Sequence, residues 1–278
     1  MQLALRKTMY LKTPTDFGSF SFVLLIIPIT YYFELFVVLP SMYPPGTLWY
    51  NFHFICGTLL MINITSSFVA TIIVDTSIAG KVMPSEMEKD CRFCAVCETI
   101  APPRSWHCDI CKICILKRDH HCVFTGCCIG YFNHRYFFMF VMYLFIATFY
   151  GTYFNNYFIW SDVNFWNLKT VFKLVFPLAM LAFGFDTSYQ QFYLLIYLIN
   201  TIGTLFTFAL LCIHVKLIMS GCATYEKNHG IHSHNYGLHS NIREVLGKKW
   251  YIAWICPFIK SELPQDGIHW SETHVHSN

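Results

Sequence analysis

The chain has 278 residues, 55% of them hydrophobic and 18% aromatic, with only 13% charged and a formal net charge of +3. A soluble domain carries about a quarter charged residues, so this deficit, with a mean hydropathy of +0.43, excludes an ordinary soluble protein and points to the membrane. The basic residues form no stripe with interleaved stacking positions, which excludes a nucleic-acid binder.

The N-terminal segment carries Arg6, Lys7 and Lys12, and a long apolar run follows with no small-residue cleavage pattern. It reads as an uncleaved first span. A span needs about 20 mostly apolar residues, and residues 17–39, 48–74, 136–160 and 192–219 meet that need. Pro28, Asn63 and Asn200 are tolerable inside them where neighbouring helices satisfy the freed polar groups. Glu34 is expected to be an interfacial side chain near the far end of the first span. Residues 171–185 are apolar but short and hold Lys173 and Pro177, so they are predicted to be a lumenal interfacial or re-entrant segment.

Lysine and arginine set the expected orientation. Residues 75–135 hold eight: Lys81, Lys89, Arg92, Arg104, Lys112, Lys117, Arg118 and Arg135. The end of the fourth span and the tail carry Lys216, Arg243, Lys248, Lys249 and others, whereas residues 161–191 carry only Lys169 and Lys173. The excess of positive charge predicts that both termini and the 75–135 loop lie in the cytosol. The expected organisation is a cytosolic N-terminus over 1–16 and spans one and two over 17–74. A Cys-rich domain over 75–135 follows, then spans three and four with a lumenal connection over 136–219 and a cytosolic tail over 220–278. No internal repeat or low-complexity tract stands out. The histidines His229, His232, His234 and His239 read as part of a polar loop, because their spacing is irregular and no cysteine accompanies them.

Nine of the thirteen cysteines fall between Cys91 and Cys128. Cys94/Cys97 and Cys108/Cys111 are pairs at zinc-knuckle spacing, and His107, Cys114, His121 and Cys128 bring the plausible ligands to eight, enough for two structural zinc ions. Spacing leaves open which four share an ion. A loop this poor in apolar residues would draw its folding free energy from the metal, on the order of 10 kcal/mol per ion. Cys91 and Cys127 are surplus, as packing or acylated thiols.

Within the cluster runs Asp119-His120-His121-Cys122. A nucleophilic thiol needs thiolate character, which a nearby imidazole promotes, and a carboxylate orients such an imidazole and stabilises its cation. Asp119, His120 and Cys122 supply these three chemical types as candidate catalytic residues, and His121 is then free to ligate metal. The competing reading makes Cys122 a ninth ligand or a spare thiol.

With Pro102 to Arg104 before His107-Cys108, and Cys128-Ile129-Gly130, Asn133 and Phe137 after the run, this stretch resembles the Cys-rich domain of the DHHC protein S-acyltransferases (palmitoyltransferases). Ala223-Thr224-Tyr225-Glu226 resembles the family's Thr-Thr-x-Glu with its first Thr replaced, and Asn241, Gly247, Trp254 and Pro257 resemble its C-terminal segment. The chain departs from the family pattern at Val123-Phe124, usually Pro-Trp, and at Gly126, usually Asn.

The resemblance implies an all-α polytopic membrane protein with four transmembrane helices and a cytosolic zinc-binding Cys-rich domain between spans two and three. It implies one zinc on Cys94, Cys97, His107 and Cys114 and another on Cys108, Cys111, His121 and Cys128. Cys122 would then be the acylated nucleophile, His120 its base and Asp119 the group orienting His120, with Thr224 against Asp119. The expected function is transfer of a long-chain acyl group such as palmitoyl from acyl-CoA to membrane-proximal cysteines of proteins at the cytosolic face. The expected site is the endoplasmic reticulum or Golgi membrane, with the bilayer as a partner and no nucleic acid. The rival expectation is an inactive zinc-stabilised scaffold of the same fold, which would need the eight ligands but not Asp119, His120 and Cys122. A channel is disfavoured because the spans carry so few ionisable groups.

Overall fold

A computed structural model describes residues 11–162, 168–231 and 234–270. His232, and the ends of the tail and of the N-terminal segment, lie outside the described residues. The described residues are mostly helical, with three small two-stranded sheets among them. Among the described residues four helices are long and apolar enough to cross a bilayer: α1 (Pro14–Met42), α2 (Leu48–Ile73), α3 (His134–Asp162) and α6 (Tyr189–Met219). Side chains such as Leu25, Leu48, Ile55, Phe149 and Leu205 stand exposed along them. A water-soluble surface would not carry so much open apolar area, whereas a lipid-facing one does.

The first helix runs further than expected on both sides. Pro28 lies inside it, and the stretch Glu34–Val38 is π-helical. Leu39 N–H reaches back to Glu34 O, five residues away, and Pro40, which has no N–H, follows directly, so the proline does not end the helix at residue 39. Glu34 differs from expectation too. Its carboxylate accepts a hydrogen bond from Asn155 Nδ2 at 2.7 Å, so a neighbouring helix satisfies it within the bundle.

Residues 171–185 form no fifth span. They fall in two short helices, α4 (Leu168–Val175) and α5 (Pro177–Ala182), broken where Pro177 starts a new first turn. Lys173 is paired with Asp186, and Gln191 Nε2 donates to Lys173 O and Pro177 O. Phe172, Phe176, Leu178 and Phe183 remain exposed, as on a segment lying in a membrane interface.

The chain gathers into two compact units. One comprises Met1–Val23, Asn63–Phe140 and Cys212–Asn278, and the other Leu24–Ile62 and Val141–Leu211. The first unit therefore collects the start of α1, the Cys-rich segment and the tail. The tail helices are α7 (Thr224–Asn228), α8 (Leu238–Leu246) and α9 (Trp250–Ala253).

The transition from α6 into the tail is fixed by Gly221 at φ +69°. Cys222 N bonds Leu217 O and Gly221 N bonds Ile218 O, the paired closure of a helix ending in a left-handed residue. A side chain there would also meet His234 O and Asn241 Oδ1 at 2.5 and 2.8 Å, so only glycine fits. Leu263, Ile268 and Trp270, late in the tail, pack on a core built from Val74, Leu116, Tyr131 and Tyr136 of the Cys-rich segment and its flanks.

Candidate metal centres and active site

The Cys-rich segment is a chain of three β-hairpins. β1 (Arg92–Cys94) pairs with β2 (Thr99–Ala101), β3 (Trp106–Cys108) with β4 (Ile113–Ile115), and β5 (His120–Cys122) with β6 (Cys127–Ile129), all antiparallel. Each first strand ends on a cysteine: Cys94, Cys108 and Cys122, fourteen residues apart. Each turn ends on a left-handed residue, Glu98, Lys112 and Gly126, in the same register. The segment is thus a threefold structural repeat, which corrects the expectation that the chain has none. The third copy carries Thr125 where the first two have Cys97 and Cys111, so Cys122 holds a knuckle position without the second knuckle thiol.

This register explains how the ligands sort. His107 faces Cys114 across β3–β4, and His121 faces Cys128 across β5–β6. Cys94, Cys97, His107 and Cys114 bring their ligand atoms within 4.8 Å of one another, and so do Cys108, Cys111, His121 and Cys128. Each cluster therefore joins the turn of one hairpin to the ladder of the next. His107 Nδ1 lies 3.4 Å from Cys97 Sγ and 3.7 Å from Cys94 Sγ. His121 Nδ1 lies 3.3, 3.9 and 3.7 Å from the sulfurs of Cys111, Cys108 and Cys128. A tetrahedron with Zn–S of about 2.3 Å and Zn–N of about 2.0–2.1 Å has N···S edges of roughly 3.6 Å. Both clusters fit a four-coordinate zinc of that size, with three soft thiolates and one imidazole apiece.

Strand geometry also separates the two histidines. Side chains at i and i+2 share a face and i+1 takes the other, so His121 turns to the metal cluster while His120 and Cys122 look the opposite way together. His120 Nδ1–H donates to Asp119 Oδ2 at 2.6 Å. Thr224 N and Thr224 Oγ1 donate to Asp119 Oδ1 and Oδ2 at 2.7 and 2.9 Å, so the carboxylate has three donors although it is nearly inaccessible to solvent. Burial opposes the Asp119 anion, yet His120, helped by the nearby imidazoles of His134 and His214, holds its carboxyl well below the usual range.

Burial likewise opposes the His120 cation, but hydrogen bonds to Asp119 and Cys122 outweigh it and push His120 up to about 9. Burial works against a Cys122 thiolate as well, and His120 and Thr125 overcome it, so the thiol sits below its ordinary value. Both shifts point the same way, to a thiolate beside an imidazolium. His120 keeps 28% of its side-chain surface open while Cys122 is 6% exposed, so the pair is reached from the histidine's side.

Sequence reasoning did not find the ion network that holds the tail to this site. Arg104 Nε and a terminal nitrogen donate to both oxygens of Glu226 at 2.6 and 2.7 Å. That terminal nitrogen also donates to Gly221 O at 2.8 Å, the other terminal nitrogen reaches Glu244 Oε1 at 2.6 Å, and Lys117 Nζ lies 2.6 Å from the same Glu244 oxygen. Two cations and two anions, all buried, thus neutralise one another. Glu226 also accepts Ala223 N at 2.8 Å, which preserves the start of α7 where the first Thr of the motif is replaced. Asn241 Nδ2 donates to Met219 O at 2.9 Å and holds α8 to the end of α6. Only the long separation of these residues in sequence hid the network.

Residues 87–230 match the family described as DHHC palmitoyltransferase. A zebrafish (Danio rerio) protein named "Probable palmitoyltransferase ZDHHC24" is 35% identical over 235 residues, 82% of this chain and 78% of that protein. The chain belongs to the DHHC palmitoyltransferase family. Its mouse (Mus musculus) relative of the same name is 30% identical over 82% of this chain and 81% of that protein. The rat (Rattus norvegicus) "Palmitoyltransferase ZDHHC22" is 26% identical over 85% and 90% of the two chains. Membership of the DHHC family supports an acyltransferase that modifies proteins at a membrane, and the Cys/His clusters fit a metal-binding DHHC domain.

Proposed function

We propose that this chain is a protein S-acyltransferase that carries a long-chain acyl group, palmitoyl in the first instance, from acyl-CoA to protein cysteines through Cys122. The Cys122 thiolate attacks the thioester carbonyl, the bond from the carbonyl carbon to the CoA sulfur breaks, and His120 gives its proton to the departing sulfur. In the second half, His120 takes the proton of the acceptor thiol, which attacks acyl-Cys122 and frees the Cys122 thiolate. Asp119 holds the imidazole and balances its charge throughout. The single observation that carries this reading is the placement of Cys122: a knuckle position outside both metal clusters, on the same strand face as His120.

Two zinc ions, held by Cys94, Cys97, His107 and Cys114 and by Cys108, Cys111, His121 and Cys128, would serve structure only, supplying folding energy to hairpins too short to fold on their own. The lysine and arginine distribution supports a cytosolic Cys-rich domain and termini, with the 161–191 connection on the far side. Gathering of the N-terminal segment, the Cys-rich segment and the tail into one unit agrees with that orientation. Burial of an acyl chain is worth about 0.8 kcal/mol per methylene, which is why the chemistry belongs beside apolar spans. The test is incubation of the purified protein with labelled palmitoyl-CoA. Label should appear at Cys122, be released by hydroxylamine, and be absent from Cys122→Ser.

A further inference from the structure

The N-terminal end of α1 meets the third hairpin. His121 offers Nδ1 to the second cluster, and its other ring nitrogen, Nε2, lies 3.2 Å from Asp16 Oδ1. Asp16 is fully buried and His121 nearly so at the side chain, so no solvent competes for this contact. The second carboxylate oxygen, Oδ2, accepts Thr13 N at 3.1 Å and Lys12 N at 3.3 Å, and Asp16 N is bonded in turn by Thr13 Oγ1 at 3.1 Å. The carboxylate is thus locked to the residues that lead into α1 on one side and presented to the histidine on the other. A second observation places the same segment on the same hairpin. Gly126, where the family usually has Asn, is left-handed at φ +61°, and a Cβ there would fall 2.4 Å from Leu11 Cδ2. The missing side chain is the space that Leu11 fills.

We propose that Asp16 is a positioning residue of the second metal centre, the outer carboxylate that fixes the tautomer and orientation of His121 and thereby the strand that carries Cys122. A carboxylate on the free nitrogen of a metal-bound imidazole holds Nε2 as the protonated nitrogen and raises the basicity of Nδ1 toward the metal. His121 and Cys122 are adjacent on a three-residue strand, so the orientation of one sets that of the other. By this inference the first span is part of the metal domain rather than only a membrane anchor, with Leu11 filling the space over Gly126.

This rests on the reading of the second cluster as a zinc site, and the experiment separates the two. The full-length protein, purified with its zinc, is mixed with a chromogenic chelator and release of each ion is followed. Two ions from the wild-type protein establish the cluster reading independently of Asp16. Asp16→Ala is expected to release one ion about 10–100-fold faster, the usual effect of removing such a partner, with the other leaving at the wild-type rate. Asp16→Asn, which keeps an acceptor oxygen without the charge, is expected to fall between. Thr13→Ala removes a bond to the Asp16 backbone but leaves the His121 contact, and should release both ions as the wild type does. Equal acceleration of both ions by Asp16→Ala would mean a general loss of folding and overturn the proposal, and so would unchanged release of both.

Discussion

At the residue scale the chemistry turns on a pair of opposed shifts. His120 is pushed up to about 9 and Cys122 is held below its ordinary value, so each stabilises the charged form of the other. A depressed thiol stays ionised to lower pH than a free one. The rate of acyl-enzyme formation should therefore persist below the range where a free thiol protonates, and His120→Ala should move the alkaline rise upward, as a stopped-flow pH series would show. The same variant should slow acylation by about 10²–10⁴-fold, the range of general acid–base assistance, while zinc content stays unchanged. Loss of metal from it would instead make His120 a ligand. Arg104 poses a different question, because it answers two buried carboxylates. Arg104→Met should destabilise the fold by about 3–5 kcal/mol, the cost of leaving buried charges unpaired, read as a lower denaturant midpoint in detergent.

At the element scale the three hairpins behave as links, each metal cluster tying a turn to the next ladder. Cys111→Ala should cost one zinc ion by elemental analysis and leave β5–β6 with faster amide exchange, because the metal's binding energy is the hairpin's folding energy. Retention of two ions would break the proposed sharing. The ligand types and spacing were legible in the sequence, whereas the strands were not. Strands of three residues are too short to show an alternating pattern. The fourteen-residue repeat was present but masked, since its third copy has Thr125 for a cysteine and Arg135 for a histidine. The extent of α1 was hidden for another reason: Pro40 reads as a breaker, and only the preceding π turn makes it acceptable. Asp16 is the last residue of the expected cytosolic N-terminus, and nothing local in the sequence links it to His121, 105 positions away.

At the scale of the whole molecule, the four spans followed directly from composition, because about 20 apolar residues have few uses outside a bilayer. The packing of the tail did not, since Glu226, Glu244 and Asn241 meet the Cys-rich segment and α6 only through the folded chain. That packing makes orientation testable. Tags before Met1 and after Asn278 should both be reached from the cytosol without permeabilising internal membranes, and a tag within residues 155–167 should be shielded. A lumenal C-terminal tag would contradict Thr224 donating to Asp119. The central claim is that Cys122 carries the acyl group between donor and acceptor, and a single-turnover chase tests it most directly. The protein is loaded with labelled palmitoyl-CoA, freed of donor, and mixed with a membrane-anchored cysteine peptide. Label should leave Cys122 and appear on the peptide thiol at the same rate, no slower than steady-state turnover. Peptide acylation that proceeds from acyl-CoA in Cys122→Ser, or label that stays on Cys122 while turnover continues, would contradict it.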